Sequence, residues 1–236
     1  MNGFPIVSIV GLLIALGVTT LFAFIKQGDK GGPINQLRHL ATVWGTCLGL
    51  LALVLLWERR PWSSIGIVWG NYAAWGIGVL VGGAILGTSV ASIWTAGRVG
   101  KPAIPTDSEQ GLMRVMATPL WFRSAVVLTA GITEEIMFRG YPIERLLEMT
   151  GKLWIAAVLP LAVFLFAHLA TWSLGHLVGV FFGGAVLTGL YLWQRDLVAC
   201  MIAHALIDSL ILFLPAMLKK LAARSANQVG GVQPRR

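Results

Sequence analysis

Thr129–Tyr141 reads TAGITEEIMFRGY, two adjacent glutamates and an arginine inside a run of otherwise mostly apolar or small residues. The chain around it decides what that run is. Of 236 residues, 56% are hydrophobic and 12% charged, with a mean hydropathy of +0.77. These values lie well outside those of ordinary soluble domains. They describe an integral membrane protein, in which Glu134, Glu135 and Arg139 lie at bilayer depth. An ionisable group there costs on the order of a few kcal/mol or more, and it faces a bundle interior or a water-filled cavity.

Stretches near the roughly 20 residues needed to cross a bilayer fall at 4–25, 40–57, 71–94, 120–148, 152–169, 177–193 and 196–214. The expected fold is all-α, a polytopic transmembrane helix bundle of about seven spans, with the fourth span irregular. Small residues one turn apart, Gly45/Gly49, Gly78/Gly82, Gly83/Gly87 and Gly179/Gly183, allow helix backbones to approach closely in lipid. Residues 1–118 read as N-terminal helices followed by a polar loop around Pro102 and Pro105. Residues 119–214 read as the core that carries the chemistry, and 215–236 as a basic flexible tail. Cys47 and Cys200 sit in apolar stretches with no CxxC spacing, which gives neither a disulfide nor a zinc-ribbon pattern.

The net charge of +8 comes from basic residues in short loops and a tail beside hydrophobic spans. That placement points to contact with membrane lipid and not to nucleic acid. Counted on alternate sides of seven spans, twelve of the eighteen Lys and Arg residues share one side. The positive-inside rule then places the N-terminus outside and the C-terminus in the cytoplasm, with the cell inner membrane as the expected location. Trp57, Trp62, Trp121, Trp154 and Trp193 fall at span ends, where interfacial anchors belong.

Helical geometry sorts the intramembrane polar groups, because residues four apart share a face and adjacent ones do not. Glu135 and Arg139 are spaced to form a structural ion pair. Glu134 is left without a local partner, and an unpaired buried carboxyl suits a general base. Glu134 and His168 come to matching depth, roughly 21 Å and 24 Å from one membrane face at 1.5 Å per residue. Phe164, one turn before His168, can pack beneath the imidazole. His204 and Asp208 share a face of the last span, with a looser depth match to Glu134. His39 and His176 read as interfacial or structural. The bland alternative, that the three charges of span four only lock helices together, weakens once two histidines and three carboxylates stand on three spans.

Taken in order on successive helices, Glu134-Glu135-x-x-x-Arg139, Phe164-x-x-x-His168 and His204-x-x-x-Asp208 resemble the CAAX protease and bacteriocin-processing (CPBP) family, also called the abortive-infection family. The resemblance covers about 120–212, and RRPWSSIGI before the third span looks like the family's upstream region. It implies an intramembrane endopeptidase of glutamic type. The residue matching Glu134, assisted by that matching His168, activates water. Those matching His204 and Asp208 form the oxyanion hole, and those matching Glu135 and Arg139 are structural. The prenyl proteases of the family carry asparagine where this chain has Asp208, and the wider family allows either. Other accounts of the family treat similar residues as metal ligands.

The expected substrate is a membrane-associated peptide or protein, which a CAAX role would require to be prenylated. The reaction needs no cofactor. The alternative is zinc held by Glu134, His168 and His204, although there is no HExxH and the ligands would come from three spans. Competing functions are a non-proteolytic scaffold or immunity protein of the same fold, and a proton-coupled transporter. No internal repeat supports transport. The charge count predicts that a topology reporter fused after Arg236 reads as cytoplasmic; an external reading would invert the assigned orientation.

Overall fold

The computed structural model describes residues 6–25, 33–99, 113, 115–169 and 174–230. Among these the chain is helical without strands, and it runs as seven successive rods: 6–25, 33–57, Tyr72–Arg98, 120–150, Leu153–Leu169, Leu174–Gln194 and 197–230. The all-α bundle expected from hydropathy is therefore the observed fold. The polar loop at Pro102 and Pro105 lies outside the described residues, as do 231–236. Residues 215–230, expected as the start of a tail, instead continue the seventh rod as helix. Leu221 is buried there, and a Cβ on Gly97 of the third rod would meet its Cδ1 at 2.8 Å. Packing of this apolar face, which the basic composition of the tail conceals, keeps the segment helical.

Leu37–Trp57, Tyr72–Arg98, Leu174–Gln194 and Leu197–Arg224 are each long and apolar enough to cross a bilayer, while Ile6–Phe22 and Leu153–Leu169 are apolar but shorter. The fourth rod is different in kind. It carries Arg123, Glu134, Glu135, Arg139, Glu144, Arg145 and Glu148, and Thr133, Glu135, Met137, Arg139, Tyr141, Ile143 and Arg145 along it are all buried. It packs against the first, second, fifth and seventh rods. Protein surrounds Glu135, Arg139 and Arg145, which is the condition under which a membrane helix can hold such charges.

Loop contacts fix an alternating path. Leu197 N–H donates to Gly66 O at 2.6 Å, Arg60 pairs with Glu148 and Arg195 with Glu144, each at 2.6 Å. The turns after the second, fourth and sixth rods therefore share one face of the bundle. Ser8 Oγ donates to Glu58 at 3.0 Å, bringing the start of the first rod to the same face. Gly151, at φ 64°, closes the fourth rod in the left-handed region and returns the chain into the fifth within two residues. Asp196 caps the seventh rod by accepting the Ala199 N–H at 3.0 Å. At the opposite end, Pro215 has no N–H to give Ile211 O. Arg123 of the fourth rod supplies the missing donor, its Nη1 reaching Ile211 O and Leu212 O at 3.1 Å each.

The third and seventh rods form the most extensive contact, and one of the expected glycine pairs makes it. A Cβ on Gly78 would collide with Ala199 O, and one on Gly82 would meet Ala203 O at 2.6 Å. Cβ atoms at Gly45, Gly49, Gly83, Gly87, Gly179 and Gly183 would meet nothing within 4 Å. Those three pairs form no internal seam. The spacing marks a face that can approach another helix, and only the tertiary arrangement selects which face does.

The fully buried Arg145 anchors the shared face. It bonds Glu58 through Nε and Nη2, and Ser64 through its carbonyl and hydroxyl. Glu58, just past the end of the second span, also accepts from Tyr141 at 2.9 Å. Burial disfavours its charge, but the Arg145 guanidinium and the Tyr141 hydroxyl overcome that and hold the carboxyl below the usual carboxylate range. The stability this contributes is present above that range and is lost as pH falls through the lowered value. Removing one member of such a pair leaves a buried charge unmatched, so Arg145→Ala should lower stability by about 3–5 kcal/mol. The fall should appear as a lower melting temperature in detergent, and an unchanged midpoint would assign the network no structural weight.

Candidate active site

The backbone of the fourth rod widens where the charges stand. Ala130–Glu134 and Ile136–Gly140 are π-helical turns between the α-helices Leu120–Thr129 and Tyr141–Thr150. Such turns are rare and concentrate at functional sites. Here the two glutamates leave the rod in different environments: the side chain of Glu135 is 0% exposed and that of Glu134 is 26% exposed.

Glu135 and Arg139 pair as their spacing predicts, Arg139 Nη1 donating to Glu135 Oε1 at 2.7 Å. The same oxygen has a second donor, His204 Nδ1 at 2.6 Å. A carboxylate oxygen can only accept, so Nδ1 carries a proton and the ring orientation is set. The other ring nitrogen, Nε2, then lies 3.5 Å from Asp208 Oδ2 and 3.9 Å from Glu134 Oε2. Two of the four expected site residues, Glu134 and Asp208, thus flank one nitrogen atom of a third, His204.

Glu134 has no ion partner on its own rod, as its spacing predicts, and faces His204 across the rods, while Glu135 adds His204 to the Arg139 pairing that its spacing predicts. The cause is tertiary. A Cβ on Gly131 would meet Ala205 N at 3.2 Å and Met201 O at 3.3 Å, so a glycine three residues before Glu134 lets the fourth and seventh rods close.

His168 is tied in through Phe164. Its Nδ1 lies 2.8 Å from Phe164 O, and its ring centroid is 4.4 Å from that of Phe164. The same phenyl ring carries the Arg139 guanidinium at 4.4 Å and the edge of Phe138. Phe164 therefore touches both His168 and the cation that holds Glu135, an attraction of cation and ring quadrupole added to apolar packing. The FxxxH spacing pointed to the first contact. Nothing in the sequence pointed to the second.

The alternative zinc set of Glu134, His168 and His204 does not fit. Among the described residues no group of three His, Cys, Asp or Glu side chains is arranged to hold a metal ion. Glu135 lies against His204 Nδ1 and Phe164 O against His168 Nδ1, so each ring is fixed through its Nδ1. The side chains gathered here can carry proton transfer and oxyanion stabilisation.

Residues 116–210 match the sequence model of the family described as type II CAAX prenyl endopeptidase Rce1-like. The resemblance carried by the three motifs is borne out over that stretch, which supports a CAAX-type intramembrane protease at family level. No curated protein and no solved structure matches the chain. Because Arg139 is buried against Glu135, Arg139→Ala should cost about 3–5 kcal/mol and remove activity together with stability. A well-folded but inactive Arg139→Ala protein would place the guanidinium among the groups that contact substrate.

Proposed function

We propose that this protein is an intramembrane endopeptidase that hydrolyses a peptide bond of a membrane-associated substrate with a water molecule activated by Glu134. The observation that carries the reading is His204, held through Nδ1 by buried Glu135 and turned through Nε2 toward Glu134 and Asp208. A histidine fixed at one nitrogen, with its other nitrogen beside a partly exposed carboxylate, is a pre-oriented reaction site.

In the proposed reaction Glu134 takes a proton from water as the water oxygen bonds to the scissile carbonyl carbon. His168, supported by Phe164, orients that water. The negative charge that develops on the carbonyl oxygen is met by the Nε2 proton of His204, which acts as an imidazolium because Nδ1 already donates to Glu135. As the C–N bond breaks, Glu134 returns its proton to the leaving nitrogen, giving a carboxylic acid and an amine. Asp208 orients His204 or, when protonated, donates to the oxyanion itself. Glu135 and Arg139 act through His204 and Phe164 as positioning residues.

The substrate class that goes with this reading is a peptide or protein held at the membrane, prenylated if the chain follows the family's CAAX role. The site is assigned to the cytoplasmic half of an inner-membrane protein, the side favoured by the charge count.

Glu134→Gln should lower turnover by about 10²–10⁴-fold, the range of a lost general base, with yield and melting nearly unchanged. In cells, the membrane proteome of Glu134→Gln should accumulate an uncleaved precursor that the wild type processes. A Glu134→Gln protein that cleaves at the normal rate would overturn the proposed base. Asp208→Asn keeps a group that can donate, so it should retain activity. If Asp208 itself donates, the substitution should also extend activity to higher pH. Inactivity restored by added zinc would overturn the metal-free mechanism.

A further inference from the structure

Gly184, on the sixth rod, is buried, and its missing side chain faces the junction of Arg139, Phe164 and Leu161. A Cβ there would lie 2.9 Å from Leu161 Cδ1, 3.3 Å from Arg139 Nη2 and 3.3 Å from Phe164 Cε1. Its neighbour Gly183 would meet nothing within 4 Å, so the constraint belongs to one glycine and not to the small-residue pattern of the rod.

From this contact we infer that Gly184 is a positioning residue for both imidazoles of the proposed site, an inference that rests on the reading of Glu134, His168 and His204 given above. The two routes are on the page. Through Phe164, whose ring lies 4.4 Å from the His168 ring and whose carbonyl lies 2.8 Å from Nδ1, Gly184 sets where His168 stands. Through Arg139, which donates to the Glu135 oxygen that also receives His204 Nδ1, it sets where His204 stands. A methyl group at 184 displaces a flexible leucine end easily. The guanidinium and the phenyl ring are held on several sides and must shift by tenths of an ångström. Misplacement on the ångström scale costs rate steeply, whereas alanine is the better helix former, so rate and stability should separate.

The test uses full-length protein in detergent with ¹⁵N-labelled histidine, of which the chain has four. Gly184→Ala should shift the ring nitrogen signals of both His168 and His204, leave that of His39 in place, and lower turnover of the precursor about 3–10-fold without lowering the melting temperature. Gly183→Ala should leave all of these unchanged. The double variant Leu161→Ala/Gly184→Ala, compared with Leu161→Ala alone, removes the tightest contact but keeps those with Arg139 and Phe164. The ring shifts should persist in it, and it supplies the measurement if Gly184→Ala does not fold. Unshifted His168 and His204 signals in Gly184→Ala, or their full restoration in the double variant, would overturn the inference. A wild-type protein that cleaves nothing would instead overturn the protease reading, while the ring signals would still decide the positioning role.

Discussion

A carboxylate that is 0% exposed inside a membrane bundle must find cations or donors from its own chain, and Glu135 finds two. Arg139 comes from one turn away on the same rod, and His204 comes from the seventh rod. The first contact is local and compensates charge. The second spans 69 residues of sequence and joins the two halves of the site. Because one oxygen serves both, the placement of His204 depends on whatever holds Arg139, and the Arg139 guanidinium rests on Phe164, which supports His168.

The rest of the bundle serves this arrangement by bringing backbones close where the site requires it. Gly78 and Gly82 seat the third rod on Ala199 and Ala203, immediately before His204. Gly131 admits Ala205 from the opposite side. The seventh rod is thus held from two directions around the residue that carries the imidazole. At the end of the fourth rod, Arg145 and Glu58 fix its last turns to the loop after the second rod, and Arg123 replaces the donor that Pro215 lacks. These are structural uses of charge, distinct from Glu134, whose side chain keeps partial exposure.

Much of this was legible in the sequence. Hydropathy marked seven helical stretches, and all seven are present as rods. Four-residue spacing identified the Glu135–Arg139 pair and the common face of His204 and Asp208, because such pairs are local and obey helical geometry. Phe164 under His168 followed from the same rule. What could not be read was tertiary. Spacing has no means of assigning His204 to Glu135 on another rod, of choosing Gly78/Gly82 over Gly179/Gly183, or of showing Gly184 against Arg139. The π-helical turns around Glu134 depend on packing that local residue preferences do not encode. Arg145 is buried because Glu58 and Ser64 converge on it from the loop after the second rod, with Tyr141 one turn before it on its own rod.

The central claim, that Glu135 orients His204 and so the site, can be measured at one proton. In ¹⁵N-histidine-labelled protein, His204 should show a strongly downfield Nδ1–H resonance, as a short hydrogen bond to a carboxylate requires. The resonance should remain in Glu134→Gln and move upfield in Glu135→Gln, where the acceptor is neutral. Absence of that proton in the folded wild type, or a resonance indifferent to Glu135→Gln, would contradict the account.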